Sequence, residues 1–130
     1  MPRLSVQQLF DERREKLELT WIGGHQGGAR ELTQDALKRP GVGLVGHLNL
    51  VHPMIMQTLG KSDVDYLDSL TKRSREEGLY TLFSGETLCV FVCDGTAPPA
   101  YLVDAANRHG TALIASGQKS RAFVNLLRCR

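Results

Sequence analysis

The sequence has no large excess of charge of either sign and no long hydrophobic run. Sixteen basic and 14 acidic residues give a formal net charge of +2, so no overall electrostatic attraction to nucleic acid is expected. Its apolar stretches are shorter than the ~18 residues needed to span a bilayer, and no apolar segment follows Met1 as in a signal peptide. We therefore expect a cytoplasmic protein that binds neither nucleic acid nor membranes.

Cysteine and clustered metal ligands are also scarce. Three cysteines are an odd number, which argues against a disulfide framework. Cys89 and Cys93 are about 13 Å apart along a predicted strand, whereas a disulfide needs less than ~7 Å between Cα atoms. We expect buried, reduced thiols. His47 and His52 have no third ligand near them in the sequence, which disfavours a metal site.

A complete nucleotide-binding loop is missing as well. Gly60-Lys61-Ser62 matches the end of the P-loop pattern G-x-x-x-x-G-K-[ST], but the first glycine would fall at Ile55. Glycines are needed there because backbone N–H groups must wrap the phosphates closely, and the run 54–59 is bulky and apolar. We expect a tight strand-to-helix turn that does not bind ATP as a P-loop.

The second half of the chain instead alternates strands and helices. Apolar runs predict strands at 56–59, 88–93 and 111–115, and helical spacing predicts helices at 62–75, 98–109 and 120–129. Ser62 is expected to cap the first helix, Gly110 to end the second, and Gly78 to interrupt the pattern. The charged run 72–77 is interpreted as the solvated C-terminal end of the first helix.

The first half is less regular. Ser5 and Gln8 form a predicted capping box for a helix over 5–17, followed by a short strand at 19–22. The glycine-rich stretch 23–30 is interpreted as a flexible connection with a solvated His25, although a ligand loop is the alternative. With 42% hydrophobic residues, residues 1–130 are expected to form one α/β domain, a mostly parallel sheet with flanking helices and right-handed crossovers.

Open α/β sheets bind ligands at the carboxyl ends of their strands, which here predicts four polar residues worth testing: Lys61, Asp94, Ser116 and Lys119. Turns between strands and helices use the same residue types for structural reasons, and this is the favoured interpretation. No Ser-His-Asp order, nucleophile elbow, zinc spacing or carboxylate pair accompanies them. We therefore expect no catalytic residue in this chain.

Three arginines, Arg121, Arg128 and Arg130, lie in or next to the predicted final helix. They could stabilise the C-terminal end of that helix electrostatically, which we favour, or dock a partner domain.

An ordered set of motifs resembles a known family. The set comprises Arg39-Pro40-Gly41-x-x-Leu44-x-Gly46-His47, Gly60-x-Ser62-Asp63-x-x-Tyr66-Leu67, Pro98-Pro99, Ala105-Ala106 and Ser120-Arg121-x-Phe123. Together they resemble the N-terminal domain of HPr kinase/phosphorylase, from Val6 to Arg130. Two departures are Asp63, where the family has Glu, and Thr111-Ala112, where Ile-Pro is usual; both put the function of those positions in doubt.

The resemblance implies a fold similar to the N-terminal domains of HPr kinase and of muramoyl-peptide ligases. It also implies a bacterial, cytoplasmic, hexameric parent that phosphorylates a serine of the phosphocarrier HPr with ATP or pyrophosphate and Mg²⁺, and runs the reverse phosphorolysis. In that family the P-loop, the catalytic residues and the HPr-binding surface lie in a C-terminal domain absent from this chain. No catalytic, cofactor or metal residue transfers to this sequence.

Two hypotheses from different classes follow. The first is an accessory or regulatory domain of an HPr kinase/phosphorylase, either as a piece of a longer protein or as an independent gene. The second is a stand-alone module of the same fold that senses a small ligand or binds a protein, by analogy with ligases whose first domain contacts a uridine nucleotide. The candidate ligand or interaction positions are Arg39, His47, Lys61, Asp63, Tyr66, Asp94, Ser116 and Lys119.

Overall fold

A computed structural model describes residues 4–32, 41–42, 56–83, 87 and 89–128. In chain order the elements are β1 (Leu4–Ser5), α1 (Val6–Arg13), β2 (Leu19–Gly23), a 3₁₀ helix (His25–Ala29), β3 (Glu31–Leu32), β4 (Gly41–Val42), β5 (Met56–Leu59), α2 (Lys61–Ser69), α3 (Lys72–Phe83), β6 (Cys89–Val92), α4 (Ala100–His109), β7 (Ala112–Ser116) and α5 (Ser120–Arg128).

The main sheet has five strands in the order β2-β7-β6-β5-β4. Strands β4, β5, β6 and β7 are parallel, and β2 runs antiparallel to β7 at one edge. Strands β1 and β3 form a separate antiparallel pair. The prediction of a mostly parallel α/β sheet with flanking helices is therefore confirmed, with an antiparallel edge strand contributed by the less regular first half.

Helices cover both faces of the sheet, because side chains alternate between the faces along each strand. Phe91 of β6 points to the face covered by α1 and α5, whereas Val90 and Val92 point to the face covered by α2, α3 and α4. The continuous apolar run in β6 is thus buried on both sides, as predicted. Phe123 of α5 lies on Phe91, with ring centroids 4.8 Å apart.

Both crossovers of the parallel unit lie on one face. Helices α2 and α3 join β5 to β6, α4 joins β6 to β7, and all three helices contribute to the same core cluster. Since β5, β6 and β7 follow one another in one direction across the sheet, crossovers of one hand place their helices on one face. The other face is left for α1 and α5.

Several local predictions are confirmed. The Ser5 hydroxyl accepts from the Gln8 N–H at 3.1 Å, and the Gln8 side chain accepts from the Ser5 N–H at 2.9 Å, as a capping box requires. Gly110 ends α4 with a φ of 62°, a left-handed conformation that glycine adopts without strain. Cys89 and Cys93 are buried free thiols. Helix α1 is shorter than expected, because turns occupy residues 14–18.

The prediction of one helix over 62–75, capped by Ser62, is wrong. Helix α2 begins at Lys61 with Gly60 as its N-cap, because the Asp63 carboxylate accepts from the Gly60 N–H at 2.7 Å. It stops at the extended Leu70, and the Thr71 hydroxyl then accepts from the Ser74 N–H at 3.2 Å. That hydrogen bond starts α3, so the crossover consists of two helices.

The interpretation of 72–77 as a helix end, and of Gly78 as an interruption, is also wrong. Both lie inside α3, with the charged run in its N-terminal half and Gly78 buried. The burial of Leu79, Leu82 and Phe83 in the core keeps the helix continuous past the glycine, because tertiary packing outweighs its low helix propensity.

The glycine-rich stretch 23–30 is an ordered 3₁₀ turn rather than a flexible connection. Gly24 has a φ of +63°, and a Cβ placed on it would lie 1.8 Å from the Thr111 carbonyl oxygen. The Gly24 N–H donates to Asn107 Oδ1 at 2.8 Å. Glycine is required here, since any side chain would clash with the backbone just before β7.

Candidate functional site

Three loops lie where β5, β6 and β7 end, and we call them the carboxyl edge: Gly60–Lys61, Cys93–Thr96 and Gly117–Lys119. In a parallel sheet these loops share one edge, which is where ligands of such folds bind. The arrangement of their hydrogen bonds therefore decides what this edge can do.

Asp94 connects all three loops. Asp94 and Gly95 have φ angles of 64° and 66°, and the Thr96 N–H donates to the Cys93 carbonyl at 3.2 Å, which together make a type I′ turn. The Asp94 N–H donates to the Gln118 carbonyl at 2.7 Å, and its carboxylate accepts from the Lys61 N–H at 2.8 Å. The turn thus links the end of β6 to the loops after β5 and β7.

Two carboxylates occupy the N-terminus of α2. Asp63 accepts from the Gly60 N–H and Asp94 from the Lys61 N–H, so negative charge lies at the positive end of the helix dipole. In a phosphate-binding loop, backbone amides at such a helix start donate to the phosphate. Here the chain's own side chains accept from these amides, so the incomplete P-loop is a hydrogen-bonded turn.

Ser116 and Gln118 connect the end of β7 to the turn before β2 by hydrogen bonds. The Ser116 hydroxyl is buried; it donates to the Leu17 carbonyl at 2.5 Å and accepts from the Gln118 N–H at 3.1 Å. The Gln118 side chain donates to the Glu18 carboxylate at 2.8 Å. Sequence reasoning missed Gln118 and Glu18, because the pair is 100 residues apart and no local pattern connects them.

The other candidate positions are dispersed. Lys61 and Lys119 have exposed side chains, and Lys61 pairs with Asp65 at 3.3 Å. Tyr66 is half-buried against the α2–α4 core and does not belong to the hydrogen-bonded carboxyl edge. Arg39 and His47 lie outside the described residues. The structure thus brings Lys61, Asp63, Asp94 and Ser116 into one network, with Lys119 beside it.

Thiol chemistry is suppressed at this edge. Burial, together with the nearby Asp94 and Asp63 carboxylates, raises the pKa of Cys93 to about 12. Burial also raises the pKa of Cys89 well above its ordinary value. Both thiols therefore stay protonated near neutral pH and are poor nucleophiles.

A second polar cluster joins the three helices on one face. The Tyr101 hydroxyl of α4 donates to Asp68 of α2 at 2.5 Å, and the Arg75 guanidinium of α3 lies 4.6 Å from the centre of the Tyr101 ring. Burial, followed by the hydrogen bond to Asp68, raises the pKa of Tyr101 above its usual range. The phenol therefore remains a donor at physiological pH, and the cluster fixes the α2–α3 junction against α4.

Neither metal clusters nor membrane helices occur in the part of the chain that the structure describes. Within these residues no group of three or more His, Cys, Asp or Glu side chains could hold a metal ion. No helix among them is both long and apolar enough to cross a bilayer.

A different surface lies along β2, and we call it the aromatic patch: Phe10 of α1, Trp21 of β2 and His25 of the 3₁₀ helix. The Phe10 and Trp21 ring centroids are 5.2 Å apart, and His25 stacks on Trp21 at 5.5 Å with an interplanar angle of 13°. The indole N–H donates to the Gly23 carbonyl at 2.9 Å, which fixes the ring orientation. Phe10 and Trp21 are half-buried, and His25 is exposed.

A cation near the C-terminal end of α5 comes from another helix and was missed by sequence reasoning. Arg121 is exposed in the first turn of α5, so it does not stabilise the C-terminal end of that helix as we expected. Arg13 of α1 instead donates to the Leu126 carbonyl at 3.2 Å. Arg128 is the last helical residue, and Arg130 lies outside the described residues.

Comparison with known proteins agrees with the fold. The family model described as "HPr Serine kinase N terminus" matches residues 4–129. The HPr kinase/phosphorylase of Chromobacterium violaceum is 36% identical over 128 residues, which cover 98% of this chain and 40% of that protein.

Similar values are found for two other relatives. The HPr kinase/phosphorylase of Bordetella pertussis is 31% identical over 125 residues, covering 96% of this chain and 40% of that protein. That of Burkholderia ambifaria is 32% identical over 127 residues, which cover 96% of this chain and 39% of that protein. This chain therefore spans about 40% of the length of the curated relatives it matches.

Proposed function

The chain belongs to the HPr serine kinase N-terminal family, and from this premise we propose that it is the accessory, non-catalytic domain of an HPr kinase/phosphorylase. In this proposal the domain influences the assembly or regulation of an enzyme whose chemistry takes place in another domain. The relatives carry the name of the whole enzyme, and this chain matches about 40% of their length.

The observation that supports this proposal most directly is the closed carboxyl edge. The amides of Gly60 and Lys61 donate to Asp63 and Asp94, and the Ser116 hydroxyl is committed to Leu17 and Gln118. A kinase needs free donors at such an edge to hold and polarise phosphate groups. These amides, carboxylates and the hydroxyl instead bind groups of the chain itself, which favours a structural role.

The remaining parts of the proposal concern the full-length enzyme. We assign ATP or pyrophosphate, Mg²⁺ and the serine of HPr to the C-terminal kinase domain, which would be the immediate partner of this chain. A cytoplasmic location and a hexameric assembly belong to the same proposal. They rest on the resemblance of the motifs to the family and not on a feature of the described residues.

The first test asks whether the chain alone is an enzyme. Purified chain is incubated with HPr, Mg²⁺ and either ATP or pyrophosphate, and phospho-HPr is measured by mass spectrometry; we expect none. The intact Chromobacterium violaceum enzyme under the same conditions is the positive control. Phospho-HPr formed by the chain alone would contradict the non-catalytic assignment.

The second test asks whether the domain influences the enzyme. The matching segment is deleted from the Chromobacterium violaceum enzyme, and both proteins are compared for oligomer size and for the ratio of kinase to phosphorylase activity. We expect at least one of these to change. If both stay the same, the accessory role is wrong and the alternative of a stand-alone ligand-sensing or protein-interaction module takes precedence.

A further inference from the structure

The aromatic patch differs from an ordinary hydrophobic surface because its rings are held in place by one another and by a hydrogen bond, while His25 stays exposed. Phe10, Trp21 and His25 come from three different elements, and each ring contacts the next. The indole is oriented by its hydrogen bond to Gly23, and a Cβ on Gly28 would lie 3.2 Å from the Trp21 ring. Tryptophan held rigidly at a surface is the residue type that most often anchors a protein interface, because little entropy is lost on binding.

The position of α5 relative to this patch suggests what covers it. Arg13 lies one helical turn after Phe10 on α1, and its guanidinium binds the Leu126 carbonyl in the last turn of α5. Phe10, Trp21 and Leu126 are the partly buried side chains that surround the same core cluster. The C-terminal part of α5 therefore lies beside the end of α1, the helix that carries Phe10.

In the relatives, a long stretch of polypeptide lies outside the matched segment. The match extends to residue 129 of this chain and covers 40% of the Chromobacterium violaceum protein. Since the family's segment is described as N-terminal, the remainder of such a protein begins just beyond α5, whose last described turn contacts the helix that carries Phe10.

We infer that the aromatic patch of Phe10, Trp21 and His25 is the docking surface for the polypeptide that follows α5 in the full-length protein. This inference rests on the proposed accessory function and names the surface through which the domain acts. The expected occupant places an apolar or aromatic side chain against the outer face of His25 and the edge of the indole. Polar neighbours such as Gln7 and Gln26, both exposed, form a rim around this contact.

The test compares hydrogen exchange in two proteins. One is the isolated chain; the other is a full-length chimera in which residues 1–128 replace the matching segment of the Chromobacterium violaceum enzyme. Peptides covering 6–13 and 19–29 are expected to exchange at least about 5-fold more slowly in the chimera, whereas peptides from 72–83 on α3 should not change. Equal exchange at 6–13 and 19–29 in both proteins would overturn the inference.

A matched pair of variants makes the result specific. His25→Glu in the chimera introduces charge into the exposed part of the patch and is expected to restore the exchange rates of the isolated chain. Thr20→Glu is the control, because Thr20 is exposed on β2 and alternates with Trp21, so it points away from the patch. Protection that survives His25→Glu would also overturn the inference.

A second measurement does not depend on the chimera folding. Exchange is compared between the intact Chromobacterium violaceum enzyme and its isolated matching segment, and protection is expected in the segments aligned with 6–13 and 19–29. The outcome is separate from that of the proposed function. Unprotected segments in an enzyme whose activity depends on the domain overturn the patch alone, whereas activity independent of the domain overturns the accessory role.

Discussion

The carboxyl edge and the aromatic patch use their functional groups in opposite ways. At the carboxyl edge, carboxylates, amides and a hydroxyl form hydrogen bonds within the chain. A single residue, Asp94, contacts both the loop after β5 and the loop after β7. In the aromatic patch, Trp21 contacts both Phe10 and His25, yet His25 remains exposed. The usual ligand position of the fold is thus closed, while a position on the edge strand is open.

This difference shows that the location of polar residues is a poor guide to function unless their partners are known. Lys61, Asp94 and Ser116 lie where an α/β protein binds ligands, and their geometry makes them parts of turns. The aromatic patch contains one Trp, one Phe and one His, none of which belongs to a recognisable motif. The following predictions test the contrast, from the largest effect to the smallest.

The largest effect is expected beneath the aromatic patch, at Gly24→Ala. The new Cβ would lie 1.8 Å from the Thr111 carbonyl oxygen at a residue with φ +63°, so backbone must move. We expect a loss of about 3 kcal/mol or more in the free energy of unfolding, measured by urea denaturation. Gly110→Ala is the control, because φ is +62° there but nothing lies within 4 Å, and about 1 kcal/mol is expected. Equal losses in the free energy of unfolding for Gly24→Ala and Gly110→Ala would contradict the close approach of Gly24 to Thr111.

The carboxyl edge is tested with Asp94→Ala. This change removes the acceptor of the Lys61 N–H and a charge at the start of α2, and it places alanine at a φ of 64°. A loss of about 1–2 kcal/mol is expected from chemical denaturation. Asp94→Asn, which keeps an oxygen acceptor and tolerates this φ, should lose clearly less. If both variants are as stable as the original chain, Asp94 does not hold the edge together.

The buried thiols predict a dependence of stability on alkaline pH. The pKa of Cys93 is raised from 9.0 to about 12 in the folded protein, so folding favours the protonated thiol. The stabilisation of the folded state by the protonated thiol is complete below pH 9 and decreases as pH rises from 9 to about 12, because the thiol ionises first in the unfolded chain. The free energy of unfolding therefore decreases by at most about 1.4 kcal/mol per pH unit in this range. Unfolding midpoints at pH 8 and 10.5 should differ less in Cys93→Ala than in the original chain. If the original chain and Cys93→Ala show the same pH dependence, folding does not raise the pKa of Cys93.

The smallest effect is expected within the aromatic patch, at His25→Ala. His25 is exposed and contributes mainly one stacking contact to Trp21, so a loss of about 0.5 kcal/mol or less is expected. The chain has one Trp, so its fluorescence reports directly on the change in this stack. A loss above about 1.5 kcal/mol would mean that His25 is a structural residue, which would weaken the contrast with the carboxyl edge.

Local patterns were sufficient for much of the fold. The apolar run in β6, the Ser5–Gln8 capping box and Gly110 each depend on residues within a few positions of one another, and all three are confirmed. The boundary between α2 and α3 could not be predicted in this way, because Leu70-Thr71 contains neither Gly nor Pro. The continuous helix through Gly78 depends on core burial, which the sequence does not show directly.

The candidate site was harder to predict for the same reason. Sequence reasoning placed Lys61, Asp94 and Ser116 at strand ends but could not show that Asp94 accepts from Lys61, 33 residues away. The aromatic patch joins a helix, a strand and a 3₁₀ turn, so no spacing rule connects its rings. Arg13 of α1 donates to the Leu126 carbonyl near the end of α5, a contact between residues 113 positions apart that no local pattern indicates.

The antiparallel edge strand has a consequence for how the protein is made. Leu19 of β2 pairs with Ser116 of β7, a residue that the ribosome adds 97 positions later. Until β7 has been synthesised, β2 has no neighbour in the main sheet, and Gly24 and Gly27 lack the backbone of Thr111 and Ala112 on which they pack. Non-local pairing of this kind slows folding, because the loop between the partners must close first. The nascent chain therefore has to be synthesised beyond residue 116 before β2, the first strand of the main sheet in chain order, can be fully paired.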